Sequence, residues 1–460
     1  MADTNAPGKS ESIYYKDWTQ GSIVRNLLLL SWPMALMETL FVVSQVADMI
    51  WVGRLGPSAI AAMGVAFTVV MLIMSLDFGL IVGARAMVAR YIGSGDIRTA
   101  NHITAQALIL GTAWGLLMMV LGITLAEPVV RLFGLEASVA ADAMIYIRIT
   151  FAGWVIQDIM VVILYIIQSS GDAIRPMMIE VLTRVIHVAL CPFLVLGLWV
   201  FPHMGVGGSA LASVIGQVVG AGLAIWLLFG GGTRLHVRRK DFRLDFNIMV
   251  RILKIGFPAL LTNLQRAFGS FVITWLMAPF GTMAMAAHSL VSRVEMFIML
   301  PGFGLGMGAG VLVGQNLGAG QSGRAEKSAW LASYILEALM IVCSAAIWLW
   351  AEGILSIFTT DPELIKLGGT FLRIATAGFA VLAFTSVLQA SIAGAGDTIP
   401  NLIMGFISNW VVMIPLAFLL PQVSSLGVLG IRWAMVVGFV VGTVIYIAYF
   451  RLGRWKTKKV

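Results

Sequence analysis

Apolar residues occupy long runs along most of the chain, and short polar segments separate the runs. Each run is long enough for a helix that crosses the hydrocarbon layer of a membrane, which needs about 20 apolar residues. Several runs exceed this length, so their helices should tilt or bend. The runs lie near 25–52, 58–90, 102–126, 142–168, 177–200, 207–230, 250–278, 283–313, 328–351, 366–393, 400–421 and 427–450. The pattern predicts an all-α polytopic membrane protein with 12 transmembrane helices.

The composition agrees with this prediction and excludes a large soluble domain. Of 460 residues, 59% are hydrophobic and 11% are charged, whereas a soluble protein carries about 25% charged residues. The net charge of +8 is concentrated beside apolar runs, at 234–243 and 451–459. Basic residues in such places contact anionic lipid head groups. We therefore expect a lipid bilayer, and no nucleic acid, as the partner of these clusters.

Lysine and arginine are distributed unevenly between alternate loops. With the N-terminus inside, the inner segments hold most of the basic residues, namely Arg98, Arg175, the 234–243 cluster, Arg324, Lys327 and the tail after 450. The outer loops hold little beyond Arg54 and Arg131. Basic loops stay on the cytoplasmic side. Both termini are therefore predicted to be cytoplasmic, in a multi-pass protein of the inner (plasma) membrane.

The sequence repeats itself at a distance of 225 residues. Residues 33–95 align with 258–320 without a gap, and 18 of the 63 positions are identical. Two unrelated segments of this composition would share about 5 identical positions by chance. Each repeat holds an even number of spans, so both halves enter the membrane the same way up. Two such halves are typical of transporters that bind their substrate between the repeats.

The repeat defines the predicted domain organisation, with two pseudo-symmetric six-helix bundles. The segments are a cytoplasmic N-terminal tail at 1–22, an N-terminal bundle at 23–230, a basic cytoplasmic linker at 231–248, a C-terminal bundle at 249–450 and a basic cytoplasmic tail at 451–460.

Several short motifs carry a family resemblance. The second half contains Arg293-Val294-Glu295, Pro301-Gly302-Phe303-Gly304 and the stretch from Gly314 to Gly320, Gly-Gln-Asn-Leu-Gly-Ala-Gly. The first half contains Asp48-Met49-Ile50-Trp51-Val52-Gly53, and both halves contain Gly-Asp, at 171–172 and 396–397. From about 22 to 450, the chain resembles prokaryotic members of the multidrug and toxic compound extrusion (MATE) family.

The resemblance implies a fold and a function. It implies two bundles arranged as a V and the export of amphipathic, often cationic, organic compounds in exchange for H⁺ or Na⁺. It also implies a transporter rather than an enzyme, with no cofactor beyond the coupling ion, and we expect a monomer.

Ionisable residues inside apolar runs are costly unless they are paired or hydrated, so each is a functional candidate. Asp48 matches the acidic position at which members of the resembled family bind the coupling ion, which makes it a candidate for H⁺ or Na⁺. Glu38, His187 and Glu295 are further candidates for ion coupling. Histidine titrates near neutral pH, so His187 could share a proton with Asp48.

Two positions depart from the resembled family. Where an archaeal branch carries an asparagine and, four residues later, a second acid, this chain has His187 and Cys191. Where another branch carries a coupling glutamate on the seventh helix, this chain has Arg266. A thiol is a poor Na⁺ ligand, and a positively charged guanidinium cannot bind Na⁺ at all. Both departures therefore argue against the presence of those two Na⁺ sites in this chain.

Polar residues in other spans are candidates for a substrate cavity, although such side chains often only join helices. These candidates are Gln45, Asp77, Asp158, Asn263, Gln265, Arg266, His288 and Asn409. The alternative function is a flippase for lipid-linked precursors from the same superfamily, which should have a strongly basic central cavity. An embedded enzyme lacks support, because the sequence has no metalloprotease or nucleophile-elbow motif.

Overall fold

The structure is a computed structural model that describes residues 16–460, and its regular secondary structure within that range is helical. The first half forms α1 (Ile23–Gly53), α2 (Pro57–Gly93), α3 (Ile97–Arg131), α4 (Ala137–Ala152), α5 (Trp154–Ser169), α6 (Ile174–Leu196) and α7 (Val206–Phe229). The second half forms α8 (Phe246–Met277), α9 (Thr282–Gly318), α10 (Ser322–Ser356), α11 (Pro362–Gly394), α12 (Thr398–Phe406), α13 (Ile414–Val423) and α14 (Val428–Leu452).

Each predicted apolar run is helical, but two of the runs are not continuous α-helices. The run near 142–168 is divided into α4 and α5, which meet at Gly153 with a bend of 50°. The run near 400–421 contains a π-helical segment, Ile407–Met413, between α12 and α13. Most helices also extend beyond the predicted ends, because polar residues at their termini continue the backbone hydrogen bonding outside the apolar run.

The helices match the predicted membrane spans, with one informative exception. In the part of the chain that the structure describes, ten helical segments are long and apolar enough to cross a membrane, when α12, the π-helical segment and α13 are counted as one. Helices α4 and α5 together can form an eleventh span. Helix α8 is long enough but is not among them, since Asn263, Gln265 and Arg266 lower the hydropathy of its central part. A polar stripe within a span is expected where a helix faces a cavity rather than lipid.

The two halves form lobes that meet at one end of the molecule. We call this the basic end, because α1 begins there and the 234–243 cluster lies there; the opposite end is the distal end. At the distal end, each lobe has its own hydrophobic cluster, one around Val52 and Trp154 and the other around Ile273 and Leu372. Two further clusters join residues of both lobes. The lobes are thus closed at the basic end and separate towards the distal end, as a V.

Glycines that the repeat aligns lie at equivalent lobe contacts. Gly83 of α2 lies against α8, where an added Cβ would be 2.2 Å from the Ile252 carbonyl oxygen. Its repeat partner, Gly308 of α9, lies against α1, where a Cβ would be 2.3 Å from Ser31 Oγ. The pseudo-symmetric pairs α2–α8 and α9–α1 therefore form the contact between the lobes.

Gly83→Ala is expected to lower the free energy of unfolding by about 1–3 kcal/mol, the usual cost of overpacking, because the new methyl group meets a backbone carbonyl. Gly222→Ala on α7 is the matched control, since nothing lies within 4 Å of a Cβ built there. Thermal unfolding in detergent measures both variants. Equal melting temperatures for the two would contradict tight packing at Gly83.

Residues 16–22, part of the predicted polar tail, pack against the basic end. The Trp18 ring is buried, and its indole donates to the Gly171 carbonyl at 2.9 Å. Arg324 of the second lobe donates to the carbonyl of Gln20 at 2.9 Å. This segment therefore contacts both lobes. The rest of the predicted tail, residues 1–15, lies outside the described residues.

The two repeated Gly-Asp motifs form loops at the same end. Asp172 lies 3.4 Å from Arg175 Nη1, and Asp397 lies 3.3 Å from Lys458 Nζ in the C-terminal tail. Burial raises the pKa of Asp172, although Arg175 beside it favours the charged form. Arg90 of α2 also donates to the Lys458 carbonyl, so the C-terminal tail joins the first lobe to the second.

Candidate functional site

Two cavities contain most of the polar residues that the sequence singled out. The N-lobe cavity has a volume of about 230 Å³, and its polar lining includes Glu38, Gln45, Asp48, Asp77, Asp158 and His187. The inter-lobe cavity has a volume of about 280 Å³, and its lining includes Glu38, Phe78, Arg85, Asn263, Arg266 and Gln389. Glu38 and Phe78 line both, so the cavities adjoin each other.

Asp48 is the best-connected acid of the N-lobe cavity. Its side chain is buried, and Oδ1 receives hydrogen bonds from Cys191 Sγ at 3.3 Å and Ser209 Oγ at 2.7 Å. His187 Nε2 lies 3.0 Å from the same oxygen. These partners come from α6 and α7, so this one carboxyl group connects α1 to two further helices.

Close packing between α6 and α7 brings these partners together. A Cβ on Gly208 would lie 2.5 Å from the Leu194 carbonyl oxygen, and one on Gly216 would lie 2.7 Å from that of Thr183. With hydrogen atoms at these positions, the helix backbones approach closely. As a result, Ser209 of α7 and the His187 and Cys191 side chains of α6 reach the same carboxyl group.

The second ring nitrogen of His187, Nδ1, is buried and has no hydrogen-bond partner among the described residues. When Asp48 is ionised, Nε2–H is the natural donor to it, and Nδ1 then carries no proton. A further proton on Nδ1 would find no acceptor here. Nδ1 is therefore a buried polar atom without a hydrogen bond in this conformation, and only a rearrangement of its surroundings would supply one.

Asp48, His187 and Cys191 are also the described residues that could hold a metal ion, since one donor atom of each lies within 4.8 Å of the others. The set consists of a carboxylate, an imidazole and a thiol. Hard cations prefer oxygen ligands, whereas thiol and imidazole donors suit softer metals. These residues therefore fit Na⁺ poorly.

Glu38 lies where the cavities meet. The Tyr165 hydroxyl donates to Glu38 Oε1 at 3.1 Å, and the Arg85 guanidinium lies 5.2 Å from the centre of the Tyr165 ring. Glu38 and Asp48, both on α1, line the same cavity. Neither Tyr165 nor Arg85 was singled out from the sequence, although Arg85 is an ionisable residue inside the predicted run 58–90 and could have been found by that signal.

Asp77 and Asp158 form a second acidic group in the N-lobe cavity. The Trp114 indole donates to Asp77, and the charges of Asp77 and Asp158 act on each other. Asp158 Oδ2 is buried without a hydrogen-bond partner in the described part of the chain. By contrast, Glu180 and Arg184, also at this cavity and four residues apart on α6, form a 2.6 Å ion pair.

Other sequence candidates lie outside both cavities. Glu295 Oε1 binds Arg432 Nη2 at 2.7 Å, and Arg432 Nη1 lies 3.2 Å from His288 Nδ1. Gln265 and Asn409 also line neither cavity; Gln265 donates to the Leu402 carbonyl at 3.4 Å, and Asn409 belongs to the π-helical segment. The cavity role predicted for His288, Gln265 and Asn409 therefore has no support from the geometry.

Arg432 was not predicted, although the sequence contains a signal for it. It is the one charged residue of the run 427–450, and such a residue needs a partner. The spacing of His288 and Glu295, seven residues, places both on one face of α9. Only the packing of α14 against α9 within the second lobe shows that this face meets Arg432.

Comparison with known proteins agrees with the fold. The MatE family model matches residues 33–193 and again 258–419. The probable multidrug resistance protein NorM of Thermotoga maritima is 25% identical over 449 residues, which cover 95% of this chain and 94% of that protein. An FAD transporter of Shewanella oneidensis is 25% identical over 421 residues, with 90% of this chain and 91% of that protein covered.

A solved structure has the same architecture. The outward-facing conformation of a multidrug resistance MATE family transporter superposes with a TM-score of 0.89 at 25% identity, over 96% of this chain and 98% of that one. The family model covers most of the chain, in two matches that coincide with the internal repeat. This chain therefore belongs to the MatE family of multidrug and toxic compound extrusion proteins, and it is a multi-pass membrane transporter of small molecules, not an enzyme.

Proposed function

We propose that the protein is a secondary antiporter that exports amphipathic organic cations in exchange for protons, and that Asp48 takes up the proton. The observation that carries the proposal is the environment of Asp48, a buried carboxyl group at a cavity, with hydrogen-bond partners on α6 and α7. Glu38 and His187 act with Asp48 in ion coupling. The Glu295–Arg432 contact favours a structural ion pair for Glu295.

Protonation of Asp48 provides a physical link to the lobes. An ionised carboxylate accepts hydrogen bonds from the three groups around it. A protonated carboxyl group carries a hydrogen atom of its own, which needs an acceptor among the same groups. The two charge states therefore prefer different packing of α1 against α6 and α7. Helix α1 also packs against α9 of the other lobe. A proton can shift the equilibrium between two arrangements only through such a difference.

The proton is favoured over Na⁺ by the donor set. Among the side chains that contact Asp48 Oδ1, only Ser209 contributes an oxygen, while His187 and Cys191 contribute nitrogen and sulfur. Hard cations are bound by several oxygen ligands. A proton needs no shell of several ligands. The carboxyl group and the imidazole beside it are sufficient to bind it.

The cavity lining supports an organic cation as cargo. Acids line the N-lobe cavity together with Met71, Met74 and Phe67. Methionine side chains adapt to many shapes, and aromatic faces attract cations. The names of the relatives, among them a probable multidrug resistance protein, agree with such a substrate.

The membrane orientation is part of the proposal. We place the basic end and both termini in the cytoplasm, in the plasma membrane, because basic loops remain on that side. The separation of the lobes at the distal end then corresponds to an outward-open state. We propose a monomer, in which the two lobes of one chain enclose the pathway.

The alternative, a flippase for lipid-linked precursors, finds less support. A pyrophosphate would need a strongly basic central cavity. The charged lining of the inter-lobe cavity consists of Arg85, Arg266 and the acidic Glu38.

Transport by the purified protein in liposomes tests the coupling ion. With the membrane potential clamped, an acidic lumen in Na⁺-free buffer is expected to drive ethidium accumulation, reported by fluorescence from entrapped DNA. A proton ionophore should abolish it. Accumulation that follows an imposed Na⁺ gradient and ignores the pH gradient would reject the proton. Liposomes prepared without the protein provide the control.

A further inference from the structure

Three side chains of the kinds that bind transition metals meet beside the N-lobe cavity. One donor atom each of Asp48, His187 and Cys191 lies within 4.8 Å of the others, and all three residues are buried. Asp48 belongs to α1, and the other two belong to α6. In the part of the chain that the structure describes, no other three histidine, cysteine or acidic side chains are grouped in this way.

The distances within this group are close to those around a tetrahedral zinc ion. Zn²⁺ lies about 2.0–2.2 Å from carboxylate oxygen and imidazole nitrogen and about 2.3 Å from thiolate sulfur, so its donor atoms are about 3.3–3.6 Å apart. Here Asp48 Oδ1 lies 3.0 Å from His187 Nε2 and 3.3 Å from Cys191 Sγ. Separations greater by about 0.3 Å would therefore accommodate the ion.

The surroundings provide a way in and a group that orients the carboxylate. Asp48 and His187 line the N-lobe cavity, through which an ion can enter and a water molecule can complete the tetrahedron. The Ser209 hydroxyl donates to Asp48 Oδ1 at 2.7 Å. Hydrogen bonds of this kind to a ligating carboxylate fix its orientation.

The three donors differ in chemical type, and together they select the metal. Thiolate and imidazole suit Zn²⁺ and similar ions, whereas Mg²⁺ and Ca²⁺ prefer oxygen ligands alone. Coordination requires a thiolate and an unprotonated Nε2, so the thiol proton leaves to the solvent and the imidazole proton resides on Nδ1. Nδ1 has no hydrogen bond to lose among the described residues.

We propose that Asp48, His187 and Cys191 form a binding site for Zn²⁺ or a chemically similar divalent cation, and that the bound ion inhibits transport. The inhibition rests on the proposed antiport, in which the packing of α1 against α6 and α7 changes during exchange. Coordination bonds from both α1 and α6 hold one arrangement of these helices. A ligand that binds one arrangement more tightly shifts the equilibrium towards it.

Cd²⁺ binding to the purified full-length protein tests the site, because a cadmium–thiolate bond adds a charge-transfer absorption in the ultraviolet. The absorption of the wild type should saturate at one Cd²⁺ per chain. Cys191→Ser should abolish it. His187→Ala should weaken binding by about tenfold or more, because losing even a group that orients a ligand costs about 10- to 100-fold in affinity.

Cys343→Ser is the matched control, since it removes the other of the two cysteines, which lies on α10 and lines neither cavity. It should bind Cd²⁺ as the wild type does. Absorption that persists in Cys191→Ser, or wild-type affinity in His187→Ala, would overturn the proposed site. Thermal unfolding without metal verifies that the variants fold, and His187→Ala decides the question if Cys191→Ser does not fold.

Inhibition is measured by ethidium accumulation in the liposomes described above. Zn²⁺ at a concentration that saturates the site should stop accumulation by the wild type, and a chelator should restore it. Accumulation that continues with the site saturated would overturn the inhibition. Because Cd²⁺ binding needs no ion gradient, an absence of proton-driven transport in metal-free liposomes would reject the proposed antiport and leave the binding result interpretable.

Discussion

Asp48→Asn is expected to lower proton-driven export by about a hundredfold, within the range of coupling energies between linked sites. Asparagine preserves the size of the side chain and one acceptor oxygen, but it neither binds nor releases a proton. Its amide group also faces Ser209 Oγ and Cys191 Sγ, which donate to the carboxylate of the wild type. The measurement is ethidium efflux from loaded cells, normalised to the amount of protein in the membrane.

Asp142→Asn is the matched control, because Asp142 lies on α4 and lines neither cavity. It should export at the rate of the wild type. Substrate binding by purified Asp48→Asn should persist, since the rest of the cavity is unchanged. Undiminished efflux by this variant would remove Asp48 from the coupling role.

Arg432→Leu is expected to lower the free energy of unfolding by about 3–5 kcal/mol, the cost of leaving a buried charge without its partner. Arg432 is almost completely buried, and it connects Glu295 to His288 through two hydrogen bonds. Leucine removes both bonds and leaves the Glu295 carboxylate facing an apolar side chain. Thermal or denaturant-induced unfolding in detergent measures the loss.

The double variant Arg432→Leu/Glu295→Leu separates a structural pair from a coupling acid. Replacing both partners with apolar residues of similar volume is often close to neutral, so stability should return towards that of the wild type. If Glu295 is structural, proton-driven export should return as well. Recovered stability without export would instead assign coupling to Glu295. Arg293→Leu, at an exposed position of the same helix, controls for the loss of an arginine.

The pattern of apolar runs was enough to predict the helices, because the thickness of the hydrocarbon layer sets the length of a spanning segment. The bend at Gly153 and the π-helical segment Ile407–Met413 were not predicted. Both depend on how neighbouring helices pack, and hydropathy averages over such local geometry. The repeat, by contrast, aligned Gly83 with Gly308, and the two positions occupy equivalent contacts between the lobes.

For the candidate site, the sequence identified residues but not their partners. The sequence suggested that His187 could share a proton with Asp48, and His187 Nε2 lies 3.0 Å from Asp48 Oδ1. Ser209, the third partner of Asp48, had no signal of its own beyond a short side chain in a glycine-rich helix. Glu295 and His288 were candidates from the sequence, but Arg432, which connects them, was not.

By itself, then, the sequence determined the membrane fold, the duplication and the family, since these follow from hydrophobic length and from repeated residues along the chain. Tertiary structure alone decided which buried polar groups meet. It brought together residues 139 positions apart at Asp48, and it placed Arg266 at the inter-lobe cavity with Asn263 rather than an acid as its hydrogen-bond partner among the described residues. The physical reason is that the environment of a charge depends on the helices around it, and sequence separation does not specify those neighbours.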